Sequence, residues 1–136
     1  MWSVELATDA FLPYLPEEAQ ANPGVYGFEL ADWLARGLAL RGITTSYPMR
    51  EDWGWLIEHR KDDGVITIGC ASLSDPGEGY LGKPIGWRIF VDCKSSSGWL
   101  RRRTSTIDSG PIESAIESIL AAAGHAFTPS DETAQD

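Results

Sequence analysis

The opening "WSVELA" sets Trp2, Val4 and Leu6 against Ser3 and Glu5, a period-two alternation that predicts a strand with one buried face. The next stretch, "FLPYLPEEAQANPGVYG", holds three prolines and two glycines. No regular element runs through such a sequence, so a long ordered loop is expected, and its length marks it as a functional surface. Over residues 25–41 the period becomes helical, with Gly42 placed to end the helix in a left-handed turn. Glu29, Asp32 and Arg36 form its one narrow polar stripe. A helix this apolar is expected to be wrapped by the fold or to dock a second protein, and it is the natural homodimer surface.

A short strand is expected at "ITTSY", followed by "EDWGWLIEH" at residues 51–59, where Trp53, Trp55, Ile57 and His59 fall on one face by alternation. "KDDG" signals a tight turn, and "VITIGCAS" returns with Ile66, Ile68 and Cys70 as its apolar row. Only a loop of two or four residues keeps that row on the tryptophan face. After the Gly/Pro loop "LSDPGEGYLGKP", Ile85, Trp87, Ile89, Val91 and Cys93 alternate with polar residues in another strand, and "WLRRRTST" reads as a further strand at the sheet edge. Asp108 or Ser109 caps a second helix starting near Pro111, with Ile112, Ala115, Ile116, Ile119, Leu120 and Ala123 in one stripe and Gly124 at its end. Consecutive hairpins and two apolar-faced helices make a two-layer α+β domain, an antiparallel sheet of about four to six strands with both helices on one face. The domain is expected to span residues 1–126, with 127–136 a disordered acidic tail.

With 136 residues, 43% of them hydrophobic, the chain suits one folded domain. No run of about 18 apolar residues and no export signal is legible, which predicts a soluble cytoplasmic protein with Cys70 and Cys93 as buried free thiols. The net charge is −9, and its distribution adds more: residues 1–35 and 104–136 carry six acids each and no Lys or Arg, whereas 36–103 hold all eleven bases against eight acids. Such a chain is repelled by phosphate backbones and anionic lipid and attracted to basic protein surfaces.

Few residues suggest chemistry. Trp53, Trp55 and His59 could form an aromatic cage for a cationic or planar ligand, although alternation first signals a core. Glu51 and Asp52 lack further ligands to converge on a metal, and none is expected. A Cys70 and His59 pair on facing strands would sit on the core face, where a thiol stays neutral. The glycines near residue 80 match no phosphate-binding loop, so no cofactor is expected. Arg101, Arg102 and Arg103 form the one basic focus, an anion-binding candidate whose simpler role is to protect a sheet edge.

"NPGVYG" at the helix entry, "EDWGW" and "IGC", in that order, resemble a group of small single-domain bacterial proteins that share these three motifs. The resemblance covers roughly residues 11–125 and implies a soluble bacterial protein, with no activity or catalytic residue to carry over. Three functions are therefore expected in order. The first is a non-enzymatic acidic module of the immunity-protein, antitoxin or phage-inhibitor type, neutralising a basic protein through Glu17, Glu18, Glu29 and Asp32. The second is a small-ligand binder or enzyme using Trp53, Trp55, His59 and the Pro-rich loop. The third is a homodimeric structural or regulatory subunit joined through helix 25–41.

Overall fold

The computed structural model describes residues 1–22, 24–61, 64–73, 84–95 and 108–131. The edge strand expected at 99–106, with Arg101, Arg102 and Arg103, lies outside these residues, as do most of the Gly/Pro loop and the two aspartates of "KDDG". The described residues form strands β1 (Trp2–Thr8), β2 (Met49–Glu51), β3 (Gly54–Lys61), β4 (Gly64–Ser72), β5 (Ile85–Ser95) and β6 (Thr128–Asp131), with helices α1 (Phe28–Leu40) and α2 (Gly110–Ala122). The strands make one antiparallel sheet in the order β2-β3-β4-β5-β1-β6. The helices pack against this sheet in a two-layer α+β fold.

Alternation sorts the side chains as expected along four strands. Trp2, Val4 and Leu6 of β1, Ile57 of β3, Ile66, Ile68 and Cys70 of β4, and Trp87, Ile89 and Val91 of β5 all enter one core. Against them lie Leu30, Ala31, Leu34 and Leu38 of α1 and Ile112, Ala115, Ile116, Ile119 and Leu120 of α2. Burial of each large side chain contributes about 1.5–3 kcal/mol, which makes this core the main source of stability. The helices meet where α1 presents Gly37, since a Cβ there would lie 3.1 Å from Ile119 Cδ1. Both helices end in a left-handed glycine, Gly42 at φ +83° and Gly124 at φ +84°, with the following amide bonding back to Leu38 and Leu120.

The β3–β4 hairpin pairs Lys61 with Gly64, Ile57 with Ile68 and Trp55 with Cys70, so the loop has the even length that the apolar rows require. In the sheet β3 lies next to the edge, and β4 and β5 occupy the centre. Other expectations change. The strand expected at "ITTSY" moves to Met49–Glu51, because Ser46 reaches over to β3 through its amide and hydroxyl instead of starting a ladder. The tail expected to be disordered instead supplies β6, which pairs Thr128–Asp131 with β1 and gives the otherwise unpaired edge of β1 a partner. Cys93 is exposed, since it lies near the far end of β5, whereas Cys70 is fully buried and desolvation pushes its thiol well up from 9.0. Among the described residues, no helix is long and apolar enough to cross a membrane.

Candidate functional site

The three motifs "NPGVYG", "EDWGW" and "IGC" converge on one place, the carbonyl of Cys70. Gly27 and Gly54 both have φ +154°, and a Cβ on either would lie 2.4 Å from the Cys70 oxygen. No L side chain fits there. Around this point Asn22 Nδ2 donates to the Asp52 carbonyl at 2.8 Å, and the Tyr26 amide donates to Ser72 Oγ at 3.0 Å. The motifs therefore tie the helix entry, the β2–β3 turn and β4 together, leaving no space at the carbonyl for a ligand. Gly69 of "IGC" serves packing on the other face of the sheet, where the Phe90 ring lies directly over it.

The β2–β3 hairpin also separates the two tryptophans. Trp53 is part of the tight turn that joins Glu51 to its partner Gly54, so strand alternation does not govern it. It is 38% exposed and stacks on Phe90 at 5.1 Å, lining a depression with Met1, Ala71 and Arg88, whereas Trp55 is buried in the core and meets Phe28 at 5.1 Å. His59 lies apart from both, its Nδ1 2.8 Å from the Thr44 carbonyl. Trp53, Trp55 and His59 thus share no pocket. Cys70 pairs with Trp55, four positions along β3 from His59, a spacing of about 13 Å at ~3.3 Å per residue. Glu51 and Asp52 are exposed at the turn, and among the described residues no three His, Cys, Asp or Glu side chains group as metal ligands would.

The proline-rich loop forms the more developed site. Phe11 is its plug: it is buried against Trp33 at 4.8 Å, Trp87 at 6.3 Å and His125 at 5.4 Å. Tyr14 meets the edge of Phe28, and Gln20 Nε2 donates to the Leu15 carbonyl. The loop then turns through a short 3-10 helix, Glu17–Ala19, where Glu17 accepts the Tyr26 hydroxyl at 2.8 Å. Its strongest tie is Glu29, in the first turn of α1. Glu29 Oε2 accepts the amides of both Tyr14 and Leu15, at 2.9 and 3.1 Å. These two bonds satisfy the buried Glu29 Oε2 at the N-terminal end of α1.

The burial of Glu29 corrects one part of the sequence reading, which placed it on the helix's polar stripe beside Asp32 and Arg36. Glu29 is only 5% exposed, because the loop folds over the N-terminal end of that stripe. Further along the same stripe Asp32 is half-buried and paired with Arg36 at 3.2 Å, and the Arg36 side chain is exposed. Glu17 and Glu18 are exposed as expected.

Between loop and helix lies an open cleft of about 360 Å³, lined among others by Phe11, Tyr14, Glu29, Asp32, Trp33 and Arg36. Beyond the Asp32–Arg36 pair a second depression of about 570 Å³ continues along α1 to Tyr47 and Pro48. The phenol of Tyr14, an exposed residue, is pushed up from 10.0 by partial desolvation and then by the Asp32 and Glu29 carboxylates, with Arg36 opposing. Two acceptors are left over in this region: Gln20 Oε1 and Glu29 Oε1 are both buried without a hydrogen-bond partner among the described residues, and of the two residues Glu29 lines the cleft. Sequence reasoning marked the loop by its length but missed Phe11, Tyr14 and Trp33. An acid in a helix's first turn already has an ordinary explanation in the dipole, and nothing local announces which loop will cover it.

The site thus belongs to a two-layer α+β domain whose open cleft combines aromatic walls with carboxylates. Compared with protein-family models, curated proteins and solved structures, the chain matches none.

Proposed function

We propose that this protein is a non-enzymatic, acidic protein-binding module, of the immunity-protein, antitoxin or phage-inhibitor type, that neutralises a basic protein partner through its helical layer. The observation that carries this reading is the segregation of charge between the layers. Among the described residues, the helical layer and the loop bound to it hold Asp9, Glu17, Glu18, Glu29, Asp32, Asp108, Glu113 and Glu117 against Arg36 and Arg41. The six strands and the β2–β3 turn hold Glu5, Glu51, Asp52, Glu58, Asp92 and Asp131 against Arg50, Arg60, Lys61, Arg88 and Lys94, so their described charges nearly cancel. A predominantly acidic layer of this kind steers an oppositely charged surface into contact and repels nucleic acid. Glu17 and Glu18 lead that face, and Asp32 borders the cleft.

The test compares the intact chain with a Glu17→Arg, Glu18→Arg variant as bait in lysate of the source organism at low and moderate salt. A basic protein retained by the intact chain at low salt, weakened by added salt and lost by the variant supports the proposal. A captured protein held equally by bait and variant, or no basic protein at all, contradicts it.

A further inference from the structure

We propose that the cleft between the Phe11–Tyr14 segment and α1 is a receptor for one cationic side chain, an alkylammonium or guanidinium group, held by the Glu29 and Asp32 carboxylates with its stem along Tyr14 and Trp33. The inference rests on the protein-binding reading and names the chemistry that this site recognises.

Three observations lead to it. First, Glu29 is a buried ionisable side chain that lines an open cleft, and only one of its oxygens is used by the fold: Oε2 holds two backbone amides, while Oε1 has no partner among the described residues. A carboxylate needed only to secure the loop would be served by Oε2. A buried acceptor without a donor is unfavourable, and an incoming N–H donor with positive charge is the group that removes the penalty. Second, the walls suit a cation on an aliphatic stem. Tyr14 and Trp33 flank the carboxylates, and Phe11 fixes Trp33 from behind at 4.8 Å. Aromatic faces attract a cation within about 6 Å and tolerate the methylenes that precede it. Third, a cation already sits at the mouth: Arg36 Nε bonds Asp32 Oδ2 at 3.2 Å, yet the Arg36 side chain is 78% exposed. A pair with one partner this exposed is weakly held, so Asp32 can exchange Arg36 for a side chain from outside. Neither a neutral nor an anionic ligand makes use of these three features together.

The experiment follows the Tyr14 and Leu15 amides and the Trp33 indole by NMR during titration with n-butylammonium chloride and with methylguanidinium chloride. Butanol and sodium chloride serve as controls for the stem and for ionic strength, and a capped Gly-Lys-Gly peptide represents a protein side chain. Saturable shifts at these three residues with the cations and the peptide, and none with the controls, are expected. Glu29→Gln should weaken binding at least fivefold while leaving the other resonances in place, and Arg36→Gln should tighten it by removing the competing cation. Shifts that butanol reproduces, or a folded Glu29→Gln protein that binds as well as the parent, would overturn the assignment. Binding of butylammonium without binding of the peptide assigns the cleft to free amines and overturns its role in a protein contact. If the cations fail to bind while Glu17/Glu18 charge reversal still abolishes partner capture, the cleft inference alone fails; the converse result removes the partner reading and keeps the cation site.

Discussion

Two junctions hold distant parts of this chain together, and they differ in what they leave behind. At the Cys70 carbonyl, Gly27 and Gly54 close in until no atom could be added, and the neighbouring Asn22 and Tyr26 contacts join the same three segments. At Glu29, which lines an open cleft, one carboxylate ties a proline-rich loop to a helix through two amides, and its second oxygen has no partner among the described residues. Both are built from residues remote in sequence. The first is a closed packing solution and the second an open one. The most recognisable motifs thus sit at the former, whereas the chemistry available to a ligand sits at the latter.

The sharpest way to break the comparison is at the glycines. Gly27→Ala or Gly54→Ala combines a backbone conformation that costs about 1–3 kcal/mol for other residues with overpacking of similar size, so a loss of about 2–5 kcal/mol is expected in urea denaturation. Gly42→Ala is the control, since its Cβ would meet open space and only the left-handed strain of about 1–2 kcal/mol applies. Equal losses at Gly42 and Gly54 would show that the Cys70 contact is unimportant. Removing the plug comes next: Phe11→Ala should cost about 3–5 kcal/mol and release the loop, which Trp33 fluorescence will report against the other tryptophans held constant as Phe.

At the open junction, Glu29→Ala strands the Tyr14 and Leu15 amides and should cost about 1–3 kcal/mol, with faster hydrogen exchange at those two positions. Glu29→Gln retains an acceptor for them and should cost less than Glu29→Ala. If both substitutions leave exchange at Tyr14 and Leu15 unchanged, Glu29 does not secure the loop.

The smallest effect concerns pH. Burial holds the Cys70 thiol neutral and raises its pKa above 9.0, so the folded state keeps a proton that the unfolded state releases. The corresponding stability is complete below pH 9.0 and declines as pH rises further, which a urea series at increasing alkalinity will register and Cys70→Ser will diminish. In the native protein a thiol reagent should accordingly label exposed Cys93 rapidly and Cys70 only on unfolding.

Sequence pattern exposed the layer architecture because burial writes itself as periodicity: β1, the β3–β4 hairpin, β5 and both helices follow their apolar rows. It failed where a residue leaves its strand or acquires a cover. Trp53 looks like a partner of Trp55 two positions away, yet a turn between β2 and β3 sends it to the other face against Phe90. Glu29 looks like the start of a solvent stripe, yet a loop centred fifteen residues earlier covers it. Thr128–Asp131 are polar enough to read as tail, and they pair by backbone hydrogen bonding, for which composition gives no signal. The acidic character of the chain ends was legible, but the placing of most of their described acids in the helical layer and its loop, with Glu5 and Asp131 in the sheet, required the fold.

The proposed binding at the acidic helical layer and its cleft is tested by a shift map with a capped, alternating Lys-Gly peptide. Salt-sensitive shifts are expected at Glu17, Glu18, Tyr14, Asp32 and Trp33, reduced by Glu29→Gln, with little change at Trp53 and Phe90 on the opposite face. Shifts centred on Trp53 and Phe90, or spread evenly over both layers and indifferent to Glu29→Gln, would contradict it.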